Sequence, residues 1–154
     1  MPKLRGFTLI ELLITISIIS ILSAIGLVIF NNVIKQGRDS KRQSDLRSVQ
    51  SALEQYYADN LSYPTQLTFG SQFSAGGRIY MNRLPTNPVS SAPQYRYVPI
   101  TPSGAFCYSS GACSIYCLYT VLDVTPSPLP PALTEAGNCR TFRGVNENFV
   151  VFPP

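Results

Sequence analysis

One apolar stretch near the N-terminus constrains the fold of this chain more than any other feature. Between Phe7 and Phe30 the only ionisable side chain is Glu11, and the other polar side chains are hydroxyls that can hydrogen-bond within a helix. As a helix the stretch is about 36 Å long at roughly 1.5 Å per residue, which exceeds the roughly 30 Å hydrocarbon core of a bilayer. We therefore predict a membrane-spanning helix over residues 7–30.

Two other kinds of N-terminal segment share this pattern. A cleavable secretory signal would use Lys3 and Arg5 as its basic start and Leu22–Ala24 as its small-x-small cleavage site. The apolar run continues beyond that site to Phe30, however. A carboxylate inside a membrane helix also costs roughly 2.5 to 3.5 kcal/mol. Both features count against a secretory signal. The second alternative is a plain single-span membrane anchor.

The carboxylate of Glu11 needs a partner in this setting, because an unpaired charge in a low-dielectric medium is expensive. Cleavage between Gly6 and Phe7 would create an α-amino group at the start of the helix. On adjacent, axially staggered copies of the chain, that amine and the carboxylate would neutralise each other. The acid therefore indicates a role in assembly.

The residues Lys3 to Glu11, KLRGFTLIE, resemble the class III signal of type IV pilins and type II secretion pseudopilins. They combine a short basic leader (residues 1–6), Gly6 before the cut, Phe7 as the new N-terminus and an acid in fixed register. The resemblance implies cleavage after Gly6 by a prepilin peptidase, N-methylation of Phe7 and a role for Glu11 in filament assembly.

The same resemblance implies partners and a location. The partners are further copies of the chain in a helical filament, the prepilin peptidase, an assembly ATPase and a platform protein. The chain is expected first as a single-pass protein of the cytoplasmic (inner) membrane with its C-terminal domain outside, and later in an extracellular or periplasmic filament. The resemblance is compatible both with a surface pilus and with a secretion pseudopilus.

The composition excludes several kinds of enzyme chemistry. The chain of 154 residues contains no histidine, which removes catalytic triads, HExxH zinc sites and histidine acid–base chemistry. We predict a structural, non-enzymatic protein without a cofactor. The formal charge of +4 falls by two, to +2, when a leader carrying Lys3 and Arg5 is removed. A net positive charge this small does not by itself indicate nucleic-acid binding.

Residues 31–60 are predicted to continue the helix with an amphipathic pattern. The later half contains one apolar stripe at spacings of three and four: Leu46, Val49, Leu53 and Tyr56. Asn60 is predicted to end the helix in the left-handed cap conformation, ahead of Pro64.

The tract Lys35–Asp45, at the start of this continuation, contains no apolar residue. Such a segment offers nothing to pack on a core of its own, so we predict a solvated neck with helical charge pairs. Charge matching with neighbouring subunits or with lipid headgroups is the alternative.

Beyond Pro64 the pattern changes from helix to strand and turn. Three segments rich in β-branched and aromatic residues are predicted strands: Gln94–Val98, Ser114–Leu122 and Asn148–Phe152. Residues 61–93 are predicted to be mostly loop. The predicted fold class is α+β and pilin-like: a long N-terminal helix spans the membrane with its first half, and its second half packs on a small antiparallel sheet. Residues 61–154 are predicted to form the extracytoplasmic domain.

One loop segment, Leu84–Pro88 followed by Tyr95–Tyr97, resembles major pseudopilins. That family carries a calcium site made by acids near the C-terminus. Here the region offers only Asp123, Glu135 and Glu147 across a proline-rich stretch, so we predict no metal site.

The four cysteines, Cys107, Cys113, Cys117 and Cys139, lie in the part predicted to be exported, where disulfides form. No CxxC pair indicates zinc, so two disulfides are predicted. A hairpin loop at residues 109–111 would set Cys107 opposite Cys113. Along one strand Cys113 and Cys117 would be about 13 Å apart at roughly 3.3 Å per residue, beyond disulfide reach. We predict Cys107–Cys113 and Cys117–Cys139; pairing Cys107 with Cys117 needs a turn that lacks a suitable glycine.

Three interpretations have a functional rival. The proline-rich segment Thr125–Pro131 is predicted to be a stiff surface loop rather than an SH3-like ligand. The nine tyrosines lie between Tyr56 and Tyr119 and are predicted to pack on sheet and helix, although with nearby arginines they would also suit stacking on single-stranded DNA during uptake. For the whole chain, the rival of a filament subunit is a membrane-anchored binding or enzymatic domain that does not polymerise.

Overall fold

The computed structural model of the chain describes residues 6–108, 113–127, 139, 144 and 146–154. These residues form one long helix and five strands: α1 (Leu9–Asn60), β1 (Phe73–Ala75), β2 (Arg78–Met81), β3 (Arg96–Ile100), β4 (Ile115–Thr120) and β5 (Phe149–Val151). The chain divides into two compact units, Met1–Gly37 and Arg38–Pro154. The predicted α+β class, a long N-terminal helix with small antiparallel sheets, is confirmed.

The three predicted strands form one antiparallel sheet in the order β3–β4–β5. Val98 of β3 lies opposite Cys117 of β4, and Tyr119 of β4 lies opposite Val150 of β5. β3 is an edge strand of this sheet, which is why it tolerates Pro99. The carbonyl of Pro99 faces away from β4 and accepts the N–H of Cys107 at 3.0 Å.

The apolar stripe of α1 packs with β4, as the helical spacing predicts. Leu46, Val49 and Leu53 are completely buried. They share one core cluster with Tyr116 and Leu118 of β4, while Tyr56 is half-buried at its edge. Burial of each such side chain stabilises the fold by roughly 1.5 to 3 kcal/mol. The core of the second unit therefore lies between this stripe and the sheet.

The prediction that Asn60 takes the left-handed conformation is wrong. Leu61 has the positive φ, 54°, and its N–H donates to the carbonyl of Tyr57 at 2.8 Å. Asn60 stays helical because its side-chain amide already donates to the carbonyl of Tyr56 at 2.9 Å and to the hydroxyl of Tyr80 at 3.3 Å. The left-handed turn is therefore made by the next residue.

The predicted loop region 61–93 contains a β-hairpin that the strand pattern misses. β1 and β2 pair in antiparallel fashion, with Ala75 opposite Arg78. The two residues between them, Gly76 and Gly77, have φ values of 57° and 80°. Two consecutive positive φ angles define a tight hairpin turn that strongly favours glycine. In the sequence, the adjacent pair Gly76-Gly77 is the feature that indicates this hairpin.

Candidate assembly site

The first part of α1 has an apolar surface and no partner within the chain. Every described side chain from Gly6 to Arg38 is exposed. By length and composition α1 can cross a membrane, and none of its apolar window is buried inside the protein. A helix that is apolar all round is stable only among lipids or other helices. This surface is therefore available either to a bilayer or to other copies of the same helix.

Several hydroxyl groups in the apolar stretch form hydrogen bonds within the helix. Three of them donate to backbone carbonyls about one turn earlier, at 2.7 to 2.8 Å: Thr15, Ser17 and Ser20. Such bonds reduce the cost of placing a hydroxyl in an apolar medium. These hydroxyls therefore do not prevent the stretch from entering lipid.

Glu11 forms a reciprocal cap with Thr8 at the start of α1. The Thr8 hydroxyl and backbone N–H donate to Oε2 of Glu11 at 2.6 and 2.9 Å. The N–H of Glu11 approaches the Thr8 hydroxyl oxygen at 3.3 Å. This is a capping box, signalled by Thr followed three residues later by Glu, and the sequence prediction overlooked Thr8 as a partner. Within a single copy of the chain, the carboxylate of Glu11 therefore already accepts two hydrogen bonds from Thr8.

The predicted cleavage site lies just before the helix. Gly6 and Phe7 precede α1, and the side chain of Phe7 is 78% exposed. A Cβ placed on Gly6 would meet no atom within 4 Å. The peptide bond between the two residues is therefore accessible in the isolated chain. The basic residues of the leader, Lys3 and Arg5, lie outside the described residues.

The prediction of a solvated neck is wrong for three residues of the Lys35–Asp45 tract. Asp39, Arg42 and Asp45 are only 5%, 1% and 5% exposed. They recur every three residues and so share one face of α1 with the apolar stripe. The tract is therefore partly buried although it contains no apolar side chain.

Arg42 is buried because two carboxylates surround it. Its Nη1 lies 2.6 Å from Asp39 and 3.1 Å from Asp123, and its Nε donates to the side chain of Asn87 at 3.4 Å. Burial by itself lowers the pKa of the guanidinium, but the hydrogen bonds and charges of Asp123 and Asp39 outweigh it and raise that pKa. The carboxylate of Asp39 also accepts the backbone N–H groups of Asp123 and Val124, each at 2.8 Å. These bonds join the segment after β4 to α1.

Asp45 is held on the same face by two donors. Lys41 lies 2.6 Å from Oδ1, and the hydroxyl of Tyr95 donates to Oδ2 at 2.8 Å. Burial of the Tyr95 ring, assisted by this hydrogen bond, raises the pKa of its hydroxyl. The segment before β3 is therefore tied to α1 by a polar contact.

Eight of the nine tyrosines are buried or half-buried, as predicted. Four are at most 4% exposed: Tyr63, Tyr95, Tyr116 and Tyr119. The carboxylate of Glu54 accepts hydrogen bonds from the hydroxyls of two of them, Tyr63 at 3.1 Å and Tyr116 at 2.9 Å. Among the described tyrosines only Tyr108, at 84%, is highly exposed. The described rings therefore present no continuous platform on which bases could stack.

The predicted disulfide pairing is confirmed. Cys107 bonds to Cys113 and Cys117 bonds to Cys139, with Cα–Cα distances of 5.5 and 5.6 Å. The hydroxyl of Tyr119 donates to the carbonyl of Cys139, so a hydrogen bond reinforces the second bridge. The predicted hairpin loop at residues 109–111 and most of the proline-rich segment, residues 128–131, lie outside the described residues.

Comparison with known proteins agrees with the N-terminal geometry. Residues 1–27 match the profile of the prokaryotic N-terminal methylation motif. The chain is 28% identical over 149 residues to the type II secretion system core protein G of Dickeya chrysanthemi, covering 94% of this chain and 92% of that protein. No solved structure matches the chain. The resemblance to the pilin and pseudopilin family, predicted from residues 3–11, is confirmed.

Proposed function

We propose that the chain is a structural, non-enzymatic filament subunit made as a prepilin. A prepilin peptidase cuts between Gly6 and Phe7 and methylates the new amine of Phe7. Residues 7–30 hold the subunit in the cytoplasmic membrane, and residues 61–154 lie outside. The observation that carries the proposal is the methylation motif over residues 1–27, together with the exposure of every described side chain up to Arg38 in a single copy.

Assembly transfers the apolar helix from lipid to the centre of a filament. The exposed apolar side chains then contact the same segment of other copies, so the apolar surface stays out of water in both states. In a single copy of the chain, Thr8 donates to the carboxylate of Glu11. In the filament, the methylated amine of Phe7 from an adjacent copy adds a positive charge beside that carboxylate. This pairing favours one axial stagger between copies.

The energy for extraction comes from outside the chain. The partners are an assembly ATPase on the cytoplasmic side and a platform protein in the membrane, as the family resemblance implies. Similarity to a type II secretion system core protein G along nearly the whole chain favours a secretion pseudopilus over a surface pilus. Deleting the gene would then retain exoproteins inside the cell, whereas loss of surface fibres with normal secretion would indicate a pilus.

Intact-mass analysis of the membrane-extracted protein tests the first step. The expected mass is that of a chain beginning at methylated Phe7 and retaining all of α1. A chain beginning near Gly26 would instead identify a secretory signal and would exclude a helical filament core. Electron microscopy of sheared cell-surface or periplasmic material tests polymerisation, because a tethered monomeric domain yields no fibres that contain this chain.

A further inference from the structure

The family resemblance implies a calcium site built from acids near the C-terminus. Two of the three acids in that part of this chain, Asp123 and Glu147, are described, and Glu135 lies outside the described residues. Calcium takes six to eight oxygen ligands at roughly 2.3 to 2.6 Å, so its ligands must be carboxylates and carbonyls that converge on one point. The contacts of the two described acids show whether they meet this requirement.

Asp123 is engaged by a buried arginine. Its Oδ2 lies 3.1 Å from Nη1 of Arg42, and the same nitrogen lies 2.6 Å from Asp39. The side chain of Arg42 is 1% exposed. The guanidinium therefore occupies the position between two carboxylates where a divalent cation would otherwise neutralise both.

Glu147 is engaged by a second arginine, on β3. Nε and Nη2 of Arg96 donate to its two carboxylate oxygens, each at 2.6 Å. Oε2 of Glu147 also accepts the N–H of Gly144 at 2.7 Å. The guanidinium of Arg96 lies 4.6 Å from the ring centre of Tyr119. Both oxygens of this acid are thus committed to a planar, two-pronged ion pair.

These acids do not fit a calcium ion. Each faces its own arginine rather than the other acid, and among the described residues no three acidic, cysteine or histidine side chains gather as metal ligands. We infer that Arg42 and Arg96 provide the positive charge that binds Asp123 to α1 and Glu147 to β3, and that the described part of residues 38–154 folds without a divalent cation at these two acids.

An arginine side chain and a bound calcium ion differ in how their contribution to stability depends on conditions. An arginine is charged at every physiological pH, and its contribution does not depend on a ligand concentration. Through Asp39, which accepts the N–H groups of Asp123 and Val124, the Arg42 cluster holds the segment after β4 in place. The fold should therefore respond to loss of the arginine and not to chelation.

The first test measures thermal unfolding of the full chain as a monomer in detergent micelles, by circular dichroism. We expect the same midpoint within about 1 °C in 5 mM EGTA and in about 5 mM calcium chloride, a concentration above the roughly 10⁻⁴ to 10⁻³ M range of extracellular calcium modules. Calorimetric titration with calcium should give no saturable heat. A midpoint lower by about 5 °C or more in EGTA, or saturable calcium binding, would overturn the inference.

The second test compares two arginines of α1. Arg42→Gln and Arg47→Gln remove the same charge, but Arg47 is exposed and forms no ion pair with a described residue. We expect Arg42→Gln to lower the midpoint by about 10 °C or more and Arg47→Gln to change it by at most about 2 °C. Equal effects would contradict the inference. Because both tests use monomers, their outcome is separate from whether the chain polymerises.

Discussion

The hydroxyl of Tyr95 donates to Oδ2 of Asp45 at 2.8 Å across 50 residues of sequence. Both side chains are buried, at 4% and 5% exposure. The bond joins the start of the sheet region to the polar part of α1. Here a hydroxyl and a carboxylate add a polar contact to the apolar packing of the chain on the helix.

Tyr95→Phe should destabilise the protein by about 1 to 3 kcal/mol, because one buried oxygen of Asp45 loses its donor. Chemical unfolding followed by circular dichroism measures this loss. Tyr108→Phe is the matched control, since its ring is 84% exposed. Equal stability of the two variants would show that the buried hydroxyl contributes nothing.

The buried tyrosines predict loss of stability in alkali. Burial raises the pKa of five hydroxyls: Tyr63, Tyr95, Tyr97, Tyr116 and Tyr119. In the unfolded chain tyrosine ionises near a pKa of about 10, so above that pH the unfolded state binds fewer protons than the folded state and stability falls as pH rises. Tyrosinate absorbance should therefore rise together with loss of the circular dichroism signal. Full ionisation of a chain that stays folded would contradict this.

Leu61→Gly should stabilise the protein by about 1 kcal/mol. The φ of Leu61 is 54°, a left-handed conformation that costs an L-residue roughly 1 to 2 kcal/mol. Its side chain is 79% exposed, so little packing is lost. Leu61→Ala, which keeps the Cβ, is the control and should gain nothing. Thermal unfolding distinguishes them, and a glycine variant no more stable than the alanine variant would exclude strain at this position.

The two disulfides should contribute unequally. Cys117–Cys139 spans 22 residues and Cys107–Cys113 spans 6. On a loop-entropy estimate their removal costs about 3 and about 2 kcal/mol, respectively. Paired alanine variants of each bridge, compared by denaturant unfolding, measure the difference. A larger loss from the shorter bridge would mean that native contacts, not loop closure, dominate its contribution.

Glu11→Leu should leave a stable membrane protein that assembles poorly. Leucine removes a penalty for insertion into lipid, while the amine of the adjacent copy loses its counter-charge. Membrane fractionation and a count of sheared fibres measure the two effects. Thr15→Val is the control, because Thr15 donates only to the carbonyl of Leu12 in its own helix. Wild-type fibre numbers for Glu11→Leu would refute the proposed role of the acid.

Short-range patterns in the sequence predicted most of the candidate site. Gly6, Phe7 and Glu11 lie within a few residues of one another, and the match over residues 1–27 supports that motif. The contact between Thr8 and Glu11 is equally local, since Thr-x-x-Glu is the sequence pattern of a capping box. The stripe of α1 and the Cys107–Cys113 bridge are also local, because helical spacing in the first case and a sequence separation of 6 residues in the second bring the side chains together.

The burial of three charged residues in the tract Lys35–Asp45 is visible only in the tertiary structure. Besides the local ion pairs Asp39–Arg42 and Lys41–Asp45, the three buried residues Asp39, Arg42 and Asp45 have partners 84, 45 and 50 residues away, which no local pattern could reveal. A run of charges is normally solvated, because desolvation is costly unless opposite charges and donors arrive together. Folding of the sheet against α1 brings Asn87, Tyr95 and Asp123 to that face, and this convergence makes burial of the charges favourable.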